Sequence, residues 1–458
     1  MKFIIIVFLF TMVAFSASTT QQIKDLEERI LGLELENLSK NGVEINGDIR
    51  SYATRTNYVS RFYDKDYTND RAISELRLRF NKTDLDRVKF YSAFGVTYLW
   101  NGTPLVPEYY TDSIAEPITG NIPVLYRAYL DFFMYDKQLA LSVGRLPTQF
   151  GPPMHLSTDM PRQGTYPSLL YSIPFDGAAL TMNLGKMLST EDRYILRFIY
   201  KTFIPFSSAT NIENAGINSP FYQEALRTGN FYSVNYEHSG RRSWTNFNFI
   251  FQYAYSKFEQ IRAVSGFRGL LTTPGNPDNT GVYEIGSTEG SFVVQQAAIA
   301  YLELLDLFES SFDVYGSFKT SHIGKAGDLI AVVQDHSTYP SGTQINLGGF
   351  VYAEQQHPGT MLFLGTRYHL SPEANVGIEY KNETIGSVYT AARTLNFIDF
   401  YSMIGSGYHL YYNNEIYDDL TFSLGYSMLD YEGIFTGVQI KNYEDDANVV
   451  YTSLRYRF

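Results

Sequence analysis

From residue 41 to the C-terminus, apolar and polar residues alternate with a period of two, and nothing in that region is apolar for long enough to cross a membrane as a helix. Leu76, Leu78 and Phe80 interleave with Glu75, Arg77 and Arg79. Tyr126, Ala128, Leu130, Phe132 and Met134 interleave with Arg127, Tyr129 and Asp131, and Tyr194, Leu196, Phe198 and Tyr200 oppose Arg197 and Lys201. Further along, Val376, Ile378 and Tyr380 sit beside Glu379 and Lys381. Successive side chains of a strand point to opposite faces, so each segment has one greasy face and one wet face.

A soluble sandwich also alternates, but connection lengths separate it from a barrel in lipid. Strands are expected near 43–56, 72–80, 88–98, 123–134, 138–146, 175–184, 192–202, 230–238, 243–255, 291–302, 309–319, 361–370, 374–383, 403–412, 418–428 and 448–458. Most are close to the length of a tilted membrane-spanning strand, about nine to eleven residues. Short turns at 135–137, 239–242, 371–373 and 413–417 alternate with long loops. Outer-membrane barrels have that asymmetry, with short periplasmic turns and long external loops. The expectation is an all-β membrane protein: a closed antiparallel transmembrane β-barrel of about sixteen strands, or eighteen if residues 343–354 add one with a partner in a neighbouring loop. An even number puts both chain ends on the periplasmic side.

The N-terminus follows another pattern. Lys2 precedes an apolar run from Phe3 to Phe15 and the small residues Ser16, Ala17 and Ser18, the order of a secretory signal peptide over 1–18. In residues 19–41, Ile23, Leu26, Ile30 and Leu33 recur at spacings of three and four between charged residues, which predicts a short periplasmic helix or coiled coil. The barrel is expected over 42–458. The chain has no cysteine, which excludes covalent c-type haem and Cys-based metal sites, and no cofactor is expected. A net charge of −12 argues against nucleic acid as a partner.

At the other end Leu454, Tyr456 and Phe458 share one face and the last residue is aromatic. This end resembles that of outer-membrane proteins, which implies recognition by the barrel-assembly machinery. Closing the first strand on the last removes both sheet edges, as lipid requires.

The connection over 146–174 stands apart. It carries Pro147, Pro152, Pro153, Pro161, Pro167 and Pro174, which stiffen the backbone. A stiff loop suits a constriction folded into a pore, and its candidate lining residues are Arg145, Phe150, His155, Asp159, Arg162 and Tyr166. The alternative is that the loop packs on the inner wall and Arg145 pairs structurally with Asp176. The spacing Gly144-Arg145-Leu146-Pro147-Thr148, Gly151-Pro152-Pro153, Thr165-Tyr166-Pro167 and Asp176-Gly177 resembles a family of uncharacterised outer-membrane barrel proteins, classed as a domain of unknown function. The resemblance implies a porin-like protein, and it supplies no catalytic residues.

Lumen-facing positions are expected to carry Arg77, Arg79, Arg127, Arg197, Lys201, Arg367 and Lys381, with Asp131 among fewer acids. Arg50, Lys89, Lys319, Arg455 and Arg457 fall on the same face, against Glu44, Asp48, Glu75, Glu237, Asp313 and Glu379. A wall that leans basic concentrates anions. None of the seven histidines lies in a nucleophile or zinc motif, so an enzyme is not expected. The expected function is passive diffusion of small hydrophilic solutes or ions through a barrel set in outer-membrane lipid, a homotrimer by porin analogy. The alternatives are a structural barrel or adhesin, and a sheath for a separate multihaem electron carrier.

Overall fold

In a computed structural model of the protein, the structure describes residues 42–60, 65–82, 87–100, 120–147, 151–160, 162, 170, 175–203, 229–259, 268–273, 276–285, 292–323, 330–335, 344–346, 358–384, 399–401, 403–435 and 440–458. The expected signal peptide and coil lie outside these residues. The strands in chain order are β1 (Val43–Ser60), β2 (Lys65–Lys82), β3 (Val88–Leu99), β4 (Gly120–Met134), β5 (Leu139–Leu146), β6 (Phe175–Asn183), β7 (Arg193–Phe203), β8 (Gly229–Arg242), β9 (Thr245–Glu259) and β10 (Arg268–Thr273). They continue with β11 (Asn276–Ile285), β12 (Phe292–Leu305), β13 (Phe312–Ile323), β14 (Ile330–Asp335), β15 (Gln344–Asn346), β16 (Gly359–His369), β17 (Ala374–Glu383), β18 (Ile404–Tyr417), β19 (Leu420–Phe435) and β20 (Ile440–Arg457).

Sixteen of these close into one antiparallel barrel, β1 to β9 followed by β12, β13 and β16 to β20. The other four form a separate sheet in the order β10-β11-β14-β15, built from two long connections. Residues 343–354 therefore do not enlarge the barrel to eighteen: β15 pairs with β14, Ile330 opposite Asn346. Two expected turns are also displaced, because β8 runs to Arg242 and β18 to Tyr417 before the chain reverses. The connections 61–64 and 436–439 are short where long loops were expected, because β1, β2 and β20 each extend to 18 residues and β19 to 16.

The alternation becomes two faces. Outward positions carry a belt of exposed apolar side chains, among them Phe90, Phe94, Leu130, Phe132, Phe198, Tyr200, Phe251, Phe318, Leu364 and Leu424. In water such a belt is an aggregation surface, whereas against hydrocarbon it costs nothing. Inward positions around the ring hold Asp48, Arg50, Glu75, Arg77, Arg197, Glu237, Gln252, Lys319 and Glu379, each at most 6 % exposed.

The ring closes where β1 pairs with β20, from Asp48 opposite Arg457 to Ser60 opposite Asp445. Below that pairing Gly47 N donates to Phe458 O (2.9 Å) and Phe458 N donates to Gly47 O (3.1 Å). A Cβ at Gly47 would lie 2.5 Å from Arg77 O and 2.8 Å from the Phe458 ring, so only glycine permits this seam. Inside the wall, tyrosines lie over glycines opposite them in register. Tyr315 covers Gly365 of β16, Tyr411 covers Gly377 of β17 and Tyr451 covers Gly425 of β19. The missing side chain on one strand is the space for the ring on the next.

Candidate functional site

The connection between β5 and β6 turns into the bore. Residues 151–160 include a single helical turn, α1 (Met154–Ser157), whose Met154 and Leu156 are buried together with the following Met160. It ends after one turn because Asp159 takes a left-handed conformation (φ 48°), which lets Met160 N donate to His155 O at 2.9 Å.

The wall holds this segment largely by its backbone. Arg455 of β20 donates to Thr158 O (3.2 Å) and Asp159 O (2.6 Å), and Asn413 Nδ2 of β18 donates to Ser157 O (3.1 Å). Arg50 of β1 lies 3.9 Å from Met160 Sδ. A few residues on, Arg162 donates to Glu237 of β8 (3.0 Å), a carboxylate that also accepts from Arg197 of β7 (3.0 Å). In the sixteen-strand ring β8 and β20 are eight strands apart. Residues 155–160 together with Arg162 thus reach opposite walls, and we call them the strap.

One side of the strap is filled. Phe400, Tyr401 and Met403, from the β17–β18 connection, are at most 2 % exposed, and Lys381 Nζ donates to Tyr401 O (2.9 Å) and Met403 O (2.6 Å). The Tyr401 and Ser157 hydroxyls meet, which ties this insertion to the strap. Glu379 accepts from the hydroxyls of Tyr401 (2.5 Å) and Tyr315 (2.8 Å), and the His409 ring bridges Glu379 (2.7 Å) and the Tyr451 hydroxyl (2.9 Å). Lys319 and Lys381 share Glu383. All five of these charged or imidazole side chains, Lys319, Glu379, Lys381, Glu383 and His409, are fully buried. Their burial is tolerated because each is bonded or paired.

The other side is less covered. On β3, β4 and β5 the inward residues Lys89, Tyr91, Arg127, Tyr129, Asp131 and Ser142 are all half-buried. Charge on the strap is tuned by burial. His155, 3.4 Å from Glu303 of β12, has its imidazole pushed down to about 3 by desolvation, with Arg162 and Arg367 adding to the shift. Burial, then the Glu379 carboxylate, hold the Tyr401 phenol well above its ordinary value.

Of the residues expected at a constriction, His155, Asp159 and Arg162 lie on this inserted segment, and Phe150 and Tyr166 lie outside the described residues. Arg145 does not join them. It remains in the β5 wall, bonded to both carboxylate oxygens of Asp176 (2.9 and 2.8 Å) and to Leu125 O (2.9 Å). The reason is register: Arg145 and Asp176 are direct cross-strand partners, and the chain leaves the wall only after Leu146.

The residues expected to face the lumen lie on the inward face. Arg77 bonds Glu75, Arg79 pairs with Asp48, Asp131 accepts from Ser142, Arg197 reaches Glu237 and Arg367 reaches Asp313. Lys201 lies 5.0 Å from the centroid of the Phe231 ring, and Lys381 bonds the inserted segment. Two inward acids, Glu303 and Glu383, were missed, although each continues the alternation of its strand. The insertion of Phe400 and Tyr401 had no periodic signal to reveal it.

Comparison with solved structures finds one that shares the fold and others that superpose less closely. OprB of Pseudomonas putida superposes with a TM-score of 0.53 at 12% identity, covering 93% of this chain and 97% of that one. The anion-selective porin from Comamonas acidovorans gives 0.47 at 8% identity, covering 91% and 99%. OmpT, an outer membrane protein of Vibrio cholerae, gives 0.45 at 10%, covering 91% and 97%. At 12% identity the likeness to OprB is one of fold alone. No curated protein matches the sequence. Residues 86–440, from just before β3 to the start of β20, match the family described as protein of unknown function (DUF3373), and the chain belongs to that family.

Proposed function

We propose that the protein is an outer-membrane channel for passive diffusion of small hydrophilic solutes, with a passage displaced to one side of the bore. The observation that carries this reading is the unequal inner wall: side chains around β13, β17 and β18 are sealed by the strap and the Phe400 insertion, while those on β3 to β5 are half-exposed. A sixteen-strand ring is wide enough to keep water beside such a strap. His155, Asp159 and Arg162 then face or flank the narrowest point. The short-turn end and both termini are periplasmic, and Leu454, Tyr456 and Phe458 form the end read by the assembly machinery.

Lys89 and Arg127 line the less covered side, with Asp131 against them, so the passage favours anions. A strap across the bore also favours a small-solute pore over a sheath for an electron carrier, which needs an unobstructed centre. Planar-bilayer recording of the purified protein tests both parts. Steady conductance without a partner is expected, and its reversal potential in a salt gradient should have the anion sign. A silent protein removes the channel, and a cation sign removes the preference.

A further inference from the structure

The inner wall of β3 and β4 forms three rungs in register: Lys89 opposite Asp131, Tyr91 opposite Tyr129, and Ala93 opposite Arg127. The two tyrosine rings stack at 5.0 Å with planes 20° apart, and both are half-buried. Arg127 has no carboxylate partner among the described residues, and its Nε is a donor without an acceptor. Elsewhere on the inward face, Arg77, Arg197 and Arg367 each have an acid in contact. A guanidinium with unused donors selects a planar oxyanion, because its fork matches a carboxylate.

We propose that Arg127 with the Tyr91–Tyr129 pair is a binding subsite for aromatic carboxylates, a reading that rests on the less covered side of the bore being the solute path. The carboxylate takes the free donors of Arg127 and the ring lies against the tyrosine pair. The spacing fits. Positions i and i+2 of a strand are about 6.7 Å apart, and a benzoate bonded to the guanidinium places its ring about that far along the wall. Offset or edge contacts with the tyrosines then hold the ring.

The test is block of single-channel current in the full-length protein, with benzoate, acetate and benzyl alcohol as probes. Each current is scaled to the same variant's current without probe. Benzoate is expected to halve the current at a concentration at least about tenfold below acetate, with benzyl alcohol weaker than benzoate. Arg127→Gln should raise the benzoate concentration about tenfold, equivalent to about 1.4 kcal/mol, and Tyr91→Leu should erase the advantage over acetate. Heat-modifiable gel migration confirms that each variant is folded. Equal benzoate block in wild type and Arg127→Gln, or equal block by acetate and benzoate, overturns the subsite. If the wild type conducts nothing, the pore reading falls and calorimetry with benzoate decides the subsite. Heat of binding lost in Arg127→Gln supports it, and heat that is absent or unchanged overturns it.

Discussion

Arg455 of β20 and Arg50 of β1 stand directly opposite one another in register on the inner wall, and what lies against both is the strap. Arg455 spends its donors on Thr158 O, Asp159 O and the Thr421 hydroxyl. Arg50 lies over the Tyr52 ring, 4.1 Å to its centroid, and against Met160. Neither makes a salt bridge among the described residues. Two like charges side by side in a closed wall are unfavourable unless something accepts their hydrogen bonds. For Arg455 the strap's carbonyls are those acceptors, while Arg50 rests on the strap through Met160 Sδ, so the wall and the strap depend on each other.

Arg455→Gln should loosen the strap and leave the barrel standing. Hydrogen bonds from a charged donor contribute about 1.5–3 kcal/mol each, and two to the strap are lost. The expected result is a larger and noisier single-channel conductance with unchanged heat-modifiable migration. A conductance identical to wild type would mean that this anchor does not hold the strap.

Acid should also unseat the strap, and the sign follows from His155. The seated imidazole is pushed down to about 3, whereas in water it titrates near about 6.5. Seating is therefore complete above about pH 6.5 and weakens as pH falls towards 3, by up to about 1.4 kcal/mol per pH unit. Conductance recorded from pH 7 to pH 4 should rise or begin to flicker on the acid side. His155→Gln should flatten that dependence, and an equally steep profile in the variant would assign it to other groups.

Gly365→Ala tests the tyrosine-over-glycine packing. An ideal Cβ there falls 2.2 Å from the Tyr315 ring, which also donates its hydroxyl to Glu379. Overpacking of this kind costs about 1–3 kcal/mol, and the ring cannot retreat without breaking that bond. The temperature at which the folded band is lost on gels should drop, and Tyr315→Phe should lower it through the lost hydroxyl alone.

Arg145→Ala should leave ion selectivity close to wild type, because Arg145 and Asp176 both lie in the wall, off the strap. Arg162→Ala should shift the reversal potential, since it removes a cation from the strap and frees Glu237 of one of its partners. Matched reversal-potential measurements on the two variants compare them directly, and a larger shift in Arg145→Ala would put the constriction at the base of the loop instead.

How much of this was legible beforehand differs between wall and bore. The period-two pattern of Leu76–Phe80 or Leu130–Met134 placed the wall strands, although Tyr126, expected on the outward face, instead turns inward at a register shift and donates to Glu75. The alternation of short turns with long loops led to sixteen. That worked because lipid outside and water inside impose one binary choice on every residue of a strand, and a binary choice can be read locally.

The amino-acid order alone determined that this chain forms a ring with apolar residues outside and charges within, because alternation is a property of neighbours along the chain. Tertiary structure decided which walls the inserted segment covers. Arg455 meets Asp159 across 296 positions of sequence, and Tyr401 meets Ser157 across 244. Such contacts exist only once the cylinder has closed and brought distant walls within a side chain's reach. Arg145 and Arg162 look alike in sequence, one in the wall and one on the strap, and only cross-strand register set them apart.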